Sequence, residues 1–337
     1  MQQKLRGGGS RNVARVLAAF AAALVAVSLV PGGASAAAAP KPPKHAEIKM
    51  HMMPAKKTGE FGTASASSGG NAGDWNGDTK HDILARQADN GALKVYQHHG
   101  TYAGTGTYEP AVDINYGWNG MRWIGSGRIN ADALSDVVAI DHGGVMRVYE
   151  HSGSFNGTST LGTVTTVGTG WYINDLVFIH DVTGDGFGDI MARRTGTDTL
   201  YIYPHTGVIN GTSTFGAPQV LVTGVKDDVE LNMADVTKDG VPDLLFLAND
   251  GWLGAFSPTN GGHVWWLSYG WETMNAVSLA DVNFDGSTDI LGRTQGGVLQ
   301  AYRHTGTFSP TGEYTAFNTF LAPESLGWGW NTNNVIS

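Results

Sequence analysis

Asp281, Asn283, Asp285 and Asp289 stand at positions 1, 3, 5 and 9 of a nine-residue segment with Gly286 at position 6. That spacing gathers hard oxygen donors on one point, because a glycine at position 6 permits the sharp turn that lets positions 1, 3 and 5 converge. A backbone carbonyl at position 7 and the carboxylate at position 9 complete a shell of the kind calcium takes. The same roles fall to Asp181, Thr183, Asp185 and Asp189, and to Asp235, Thr237, Asp239 and Asp243. Asp74, Asn76, Asp78 and Asp82 keep the ligands with Thr79 in place of the glycine, which predicts a more strained site. A fifth copy, 128–136, has Arg128 at position 1 and retains Asn130, Asp132 and Asp136. Its guanidinium is expected to neutralise those carboxylates, leaving about four calcium ions for the chain.

Asp and Asn also make turns by capping their own backbone, so one such loop is equally a turn. Four copies that keep the position-9 Asp, each followed by an apolar run such as Ile290 and Leu291, are poorly explained by turn preference alone. The loops begin about fifty residues apart, the spacing of propeller blades.

Between loops the sequence reads as short strands. In the third unit these are 176–180, 190–193, 200–203 and 219–222, rich in β-branched residues and punctuated by glycine, with no helical periodicity. The expected fold is therefore all-β: a five-bladed β-propeller of four-stranded blades. A Gly-Trp pair precedes loops two, three and five at Trp118, Trp171 and Trp271, with Val225 in its place in unit four. A last pair, Gly329 and Trp330, is followed only by residues 331–337, while the first loop has no strand of its own before it. The C-terminal strand is thus expected to complete blade one and close the ring, removing an open sheet edge.

These units resemble the FG-GAP or VCBS repeats of secreted bacterial proteins, which are similar to the calcium-bearing blades of integrin α-subunit propellers. The matching residues are 184–193, 74–86 and 281–293, with 200–204 as the later strand. The resemblance covers about residues 71–337 and implies a calcium-bearing propeller. Such propellers serve as adhesion modules, lectins and appendages of extracellular hydrolases.

Residues 1–36 read as a signal peptide: Lys4, Arg6, Arg11 and Arg15, then an apolar core, then Ala34, Ser35 and Ala36 as a small-residue cleavage site. Residues 37–70 read as a linker, and 71–337 as the propeller. The expected location is extracellular, with no membrane insertion, since no later run approaches a membrane span. The chain has no cysteine, so disulfides cannot brace it. Its formal net charge of −9, without a basic run, argues against nucleic acid as a partner.

A second repeat, Tyr-x-His-x-Gly, places His98, His151, His205 and His304 at one corner of four units; unit four has Ser257 and Pro258 there and is shorter. The residues serve either as sugar-binding pockets or as packing between blades, and a recurring blade corner favours packing. Trp265 and Trp266 are not explained by the repeat, so with Trp252 they are candidates for a recognition surface. No nucleophile elbow or zinc-protease motif occurs, and Glu230, Glu272 and Glu313 offer no reason to choose a catalytic pair. The expected function is binding of extracellular glycan or protein, with an extracellular polysaccharide hydrolase or lyase as the alternative.

Overall fold

A computed structural model describes residues 41–42, 49–50, 73–225, 228–259 and 262–337. Five antiparallel sheets form a β-propeller, each blade running outward from an innermost strand. Blade three is Asn174–His180, Asp189–Arg194, Thr199–Tyr203 and Gln219–Thr223, each strand one or two residues longer than the alternation alone indicated. Blades two, four and five begin at Met121–Gly127, Asp228–Ala234 and Met274–Ala280.

Blade one is assembled from both ends of the ring. Ile83–Gln87, Leu93–Tyr96 and Val112–Asn115 supply three strands, and Asn333–Ile336 is the innermost fourth. Ile336 pairs with Ala85 and Val335 with Arg86, while Leu84 and Ser337 exchange two backbone hydrogen bonds at 2.8 Å. The C-terminal strand closes the ring, as the tail alignment predicts.

The second strands are buried on both faces and accordingly read as continuous apolar runs: Val137, Val138, Ala139 and Ile140 in blade two, Leu244 to Leu247 in blade four. Third strands alternate, with Leu93 and Val95 buried and Lys94 and Tyr96 half-buried. Near the axis the blades approach so closely that a Cβ on Gly127 would sit 2.8 Å from Ile179.

Each periodic Trp follows a glycine in the left-handed region, φ 84° at Gly117 and 81° at Gly329, and opens a single 3-10 turn into an innermost strand. The indoles are buried against the third-strand Tyr of the blade that each turn opens: Trp118 on Tyr149, Trp171 on Tyr203, Trp271 on Tyr302 and Trp330 on Tyr96, with ring centres 4.4–4.7 Å apart. Arginines at the ends of second strands tie the same junctions from the other side. Arg86 donates to the Trp118 and Met121 carbonyls, Arg193 to Val225, and Arg293 to Trp330 and Asn333.

Within the expected linker, Lys49 and Met50 pair with Thr223 and Val222, giving blade three a fifth, two-residue strand. The signal-peptide segment lies outside the described residues. No helix among them is long and apolar enough to cross a membrane.

Candidate metal loops and rim clefts

Loops two to five connect innermost to second strands and loop one leads into the second strand of blade one, so they cluster on one face of the ring. In four of them the backbone turns left-handed twice. At position 6 the residues are Thr79, Gly186, Gly240 and Gly286 (φ 67°, 88°, 86° and 79°); at position 4 they are Gly77, Gly184, Lys238 and Phe284. Thr79 therefore holds the conformation that the glycine supplies elsewhere, at the steric cost of its Cβ. The position-4 turn has no reliable sequence signature, since Lys and Phe occupy it in two loops.

Those turns aim amide N–H groups at the position-1 carboxylate. Asp181 accepts from Gly184, Asp185 and Gly186 at 2.7–3.1 Å, Asp235 from Asp239 and Gly240, and Asp281 from Asp285 and Gly286. The position-5 carboxylate accepts from the amide two residues on, as Asp78 does from Lys80 and Asp285 from Ser287. Carboxylate oxygens have further lone pairs, so these bonds orient the donors without exhausting them. Among the described residues no group of three or more His, Cys, Asp or Glu side chains is drawn together as a ready-made metal cluster. The expected shell also counts amide, hydroxyl and carbonyl oxygens, however. In loop three the Thr183 hydroxyl, an expected ligand, is buried with no partner. An orphaned oxygen beside two carboxylates fits a hard cation.

The position-9 residues Asp82, Asp136, Asp189, Asp243 and Asp289 are fully buried. One oxygen accepts from loop amides, Val182 and Thr183 at 2.9 Å in loop three, and in four blades the other accepts from the third-strand His amide at 2.7–2.8 Å. In blade four, where Ser257 replaces the His, Asp243 takes the Thr237 hydroxyl. Burial pushes these carboxyls up, to about 7 in Asp82, Asp189, Asp243 and Asp289 and about 6 in Asp136, although the amide bonds favour the anion. Position 9 thus staples the loop to its own blade, a role the ligand spacing did not reveal.

The repeated His side chains do the equivalent between blades. In each, Nδ1 accepts from the glycine amide two residues on, at 2.9–3.0 Å. The Nε2–H donates across the junction to the position-2 carbonyl of a neighbouring loop: His98 to Val282, His151 to Trp75 and His304 to Val236, at 3.0–3.1 Å. Both nitrogens are thereby occupied in these three, and the packing alternative describes them. His205 would meet loop two, and its Nε2 has no partner; its ring stacks on Phe187 instead. Loop two is also the loop without left-handed turns at positions 4 and 6. There Arg128 donates to the Ala131 carbonyl and makes no ion pair with Asp132 or Asp136 among the described residues. This corrects the expectation that its guanidinium neutralises them.

Two consequences are measurable. Calcium titration by calorimetry is expected to return four ions; Asp285→Ala removes one, and Asp132→Ala leaves the count unchanged. Five equivalent ions in the parent protein would overturn the reading of loop two. Separately, His151→Ala leaves the Trp75 carbonyl and the Gly153 amide without their imidazole partners and is expected to cost about 2–3 kcal/mol in denaturant unfolding, within the range for buried unmet hydrogen bonds. His205→Ala, with one clip bond fewer to lose, is expected to cost less.

The proposed tryptophan surface is corrected in part. Trp252 and Trp266 are 6% and 4% exposed and belong to the core shared with Phe178, Met191 and Phe246. They fill the space between blades three and four, while the outer edge of blade four is covered by an excursion of blade five between its third and fourth strands. Trp266 donates its amide to the Tyr314 carbonyl and accepts from the Ala316 amide, so this excursion extends the outer edge of short blade four. Trp265, half-buried, packs edge-on against Phe308.

Exposed aromatics occur elsewhere, two residues before a periodic Trp: Tyr116 (58% exposed), Tyr269 (48%) and Trp328 (71%). Their signal, aromatic-Gly-Trp, is present in the sequence, but exposure distinguishes them from the buried Trp beside them. Trp328 lips a cleft of about 280 Å³ between blades five and one, with Tyr96, Tyr108, Glu109 and Pro110. Tyr269 lips a cleft of about 220 Å³ between blades four and five, with Phe317, Leu321 and Pro323.

The axial cavity, about 160 Å³, is lined by the innermost strands, including Ser126, His180, Asn232 and Ser278. Glu230 also lines it and lies in a slot among Leu245, Leu253, Val277 and Leu279, where burial pushes its carboxyl up to about 7. Glu272 and Glu313 are exposed and line neither of these cavities, so the three glutamates do not form a carboxylate pair.

No protein-family model matches the chain, and no curated protein matches it.

Proposed function

We propose that this chain is an exported, calcium-stabilised propeller of the FG-GAP or VCBS type that binds extracellular glycan. The observation that carries the ligand class is the exposed aromatic two residues before a buried Trp at three blade junctions. Large apolar side chains that recur while remaining about half exposed or more contribute little to packing, and exposed apolar patches on soluble proteins mark interaction surfaces. Flat aromatic rings bordered by polar groups suit the mixed surface of a sugar, whose C–H face is apolar and whose rim is hydroxylated.

Calcium is supported by the four doubly left-handed loops and by the orphaned Thr183 hydroxyl; residues 74, 76, 78 and 82, 181, 183, 185 and 189, 235, 237, 239 and 243, and 281, 283, 285 and 289 would hold it. Its role in this reading is to brace the loop face of a cysteine-free fold. Export is supported by the basic, apolar and small-residue order of the first 36 residues. For the hydrolase or lyase alternative the axial cavity offers Glu230 and Asp281, but the Asp281 carboxylate is held by the Asp285 and Gly286 amides of its own loop, which favours the binding reading.

A glycan array probed in millimolar calcium, with a reducing-end assay on every hit, tests the reading. Retention of glycan without release of new reducing ends is expected. Turnover would replace the binding module with an enzyme, and no retention on any glycan would remove the ligand class.

A further inference from the structure

We infer that the cleft between blades five and one is a site for a neutral pyranose unit, with Trp328 as its stacking platform and Glu109 as its hydroxyl acceptor. The inference rests on the glycan reading above and assigns it a site and a specificity.

Trp328 is the most exposed large apolar side chain among the described residues. It stands between Gly327 and Gly329, both with positive φ, so the local backbone is one that glycines specify on either side of the indole. Beneath it, Trp330 is buried and paired with Tyr96 at 4.4 Å, which gives the cleft a rigid floor. The junction therefore does not need Trp328 for packing: the buried indole already fills that role.

The polar complement is on the opposite wall. Glu109 and the Tyr108 ring line the cleft, and the Tyr108 hydroxyl has no hydrogen-bond partner. His99 holds the Glu109 carboxylate through Nδ1, fixing an acceptor at the rim. A carboxylate accepts from two sugar hydroxyls at once and repels another carboxylate. No Lys or Arg lines the cleft, and Arg303 nearby is engaged by Glu324. An acidic chain with an acidic cleft selects against uronate and sulfated sugars and leaves neutral ones.

The junction between blades four and five supplies the contrast. Its cleft has the equivalent aromatic lip in Tyr269 but is walled by Phe317, Phe320, Leu321, Ala322 and Pro323, with no charged side chain to order hydroxyls. Stacking without a fixed acceptor makes it the lesser subsite.

The test is calorimetric titration of the purified protein in calcium with cellohexaose, maltohexaose, mannohexaose and hexagalacturonate. At least one neutral hexamer is expected to bind, and hexagalacturonate is expected not to. For that neutral hexamer, Trp328→Ala is expected to weaken binding about ten-fold or more, as truncation of an aromatic hot spot does. Trp328→Phe is expected to restore most of it, and Glu109→Gln to weaken it less while relieving the exclusion of hexagalacturonate. Because Trp328 is exposed, melting temperatures should match the parent and exclude misfolding as the cause. Hexamer binding that survives Trp328→Ala overturns this cleft while leaving the glycan reading in place. Preference for hexagalacturonate overturns the charge argument and the inference with it. Absence of binding by every hexamer, together with an empty glycan array, removes the glycan reading itself.

Discussion

Deleting residues 330–337 is expected to abolish the cooperative melt of this protein or lower it by more than any point substitution considered above. The segment supplies the innermost strand of blade one, so its loss strips the ladder to Ala85, Arg86 and Gln87 and the paired bonds between Leu84 and Ser337. It also removes Trp330, whose burial against Tyr96 alone is of the size that costs about 3–5 kcal/mol when a core Trp is truncated. Arg293 would be left in the interior without the Trp330 and Asn333 carbonyls to which it donates. Against a total stability of about 5–15 kcal/mol, these losses suffice to unfold the ring. Removing residues 37–66 is the control, because among the described residues it deletes only the two-residue pairing of Lys49 and Met50. Thermal melts of both truncations in calcium make the comparison. A C-terminal truncation as stable as the parent would show that the ring does not depend on this closure.

Calcium removal is expected to have the second-largest effect, and one whose sign with pH can be stated. Dissociation constants of extracellular calcium modules lie at about 0.1–1 mM. At 10 mM calcium each site then adds about 1.4–2.7 kcal/mol by mass action, summed over four sites. Without the ion, burial holds the position-9 carboxyls near 7, far above their ordinary value of 3.8. A group whose pKa is raised by folding contributes stability below its unfolded pKa and loses it as pH rises through its folded pKa. These carboxyls should therefore destabilise the calcium-free protein as pH climbs from 6 to 8. The buried histidines run the other way, since burial lowers their pKa and their contribution is lost as pH falls below 6.5. Calcium requires the ionised carboxylate, so its affinity should increase over the same interval in which the metal-free protein weakens. The increment in melting temperature from calcium is accordingly expected to be larger at pH 8 than at pH 6. Identical melts in calcium and in chelator at pH 8 would remove the metal assignment.

What the sequence disclosed was local or periodic. The loops were readable because their donors lie within nine residues, and closure was readable because Trp330 and its tail repeat the register of Trp271. The histidine clips were not, since His98 finds its acceptor 184 positions away on Val282 and nothing near His98 encodes that pairing. Trp252 and Trp266 misled for a similar reason: they are buried by Phe178, Met191 and Leu200 of blade three, which lie far from them in the sequence. Arg128 was legible as an absence of ligand, but the direction of its guanidinium was a packing outcome. The rim aromatics carried a motif, yet only relative exposure separates Trp328 from Trp330, two residues apart.

Closure by Asn333–Ile336 also fixes an order of events. A polypeptide leaves the ribosome or a translocation pore N-terminus first, so Ile83–Gln87 emerges early and must wait, one edge unpaired, for the strand that completes its sheet. Blades two to five have their four main strands in sequence and are each free to form as they appear. Blade one is the exception: His151 of blade two can clip the Trp75 carbonyl of its loop early, but its innermost edge stays unpaired until Asn333–Ile336 arrives. The ring therefore has a built-in last step, during which blade one presents an adhesive edge and depends on being kept apart from other copies of itself.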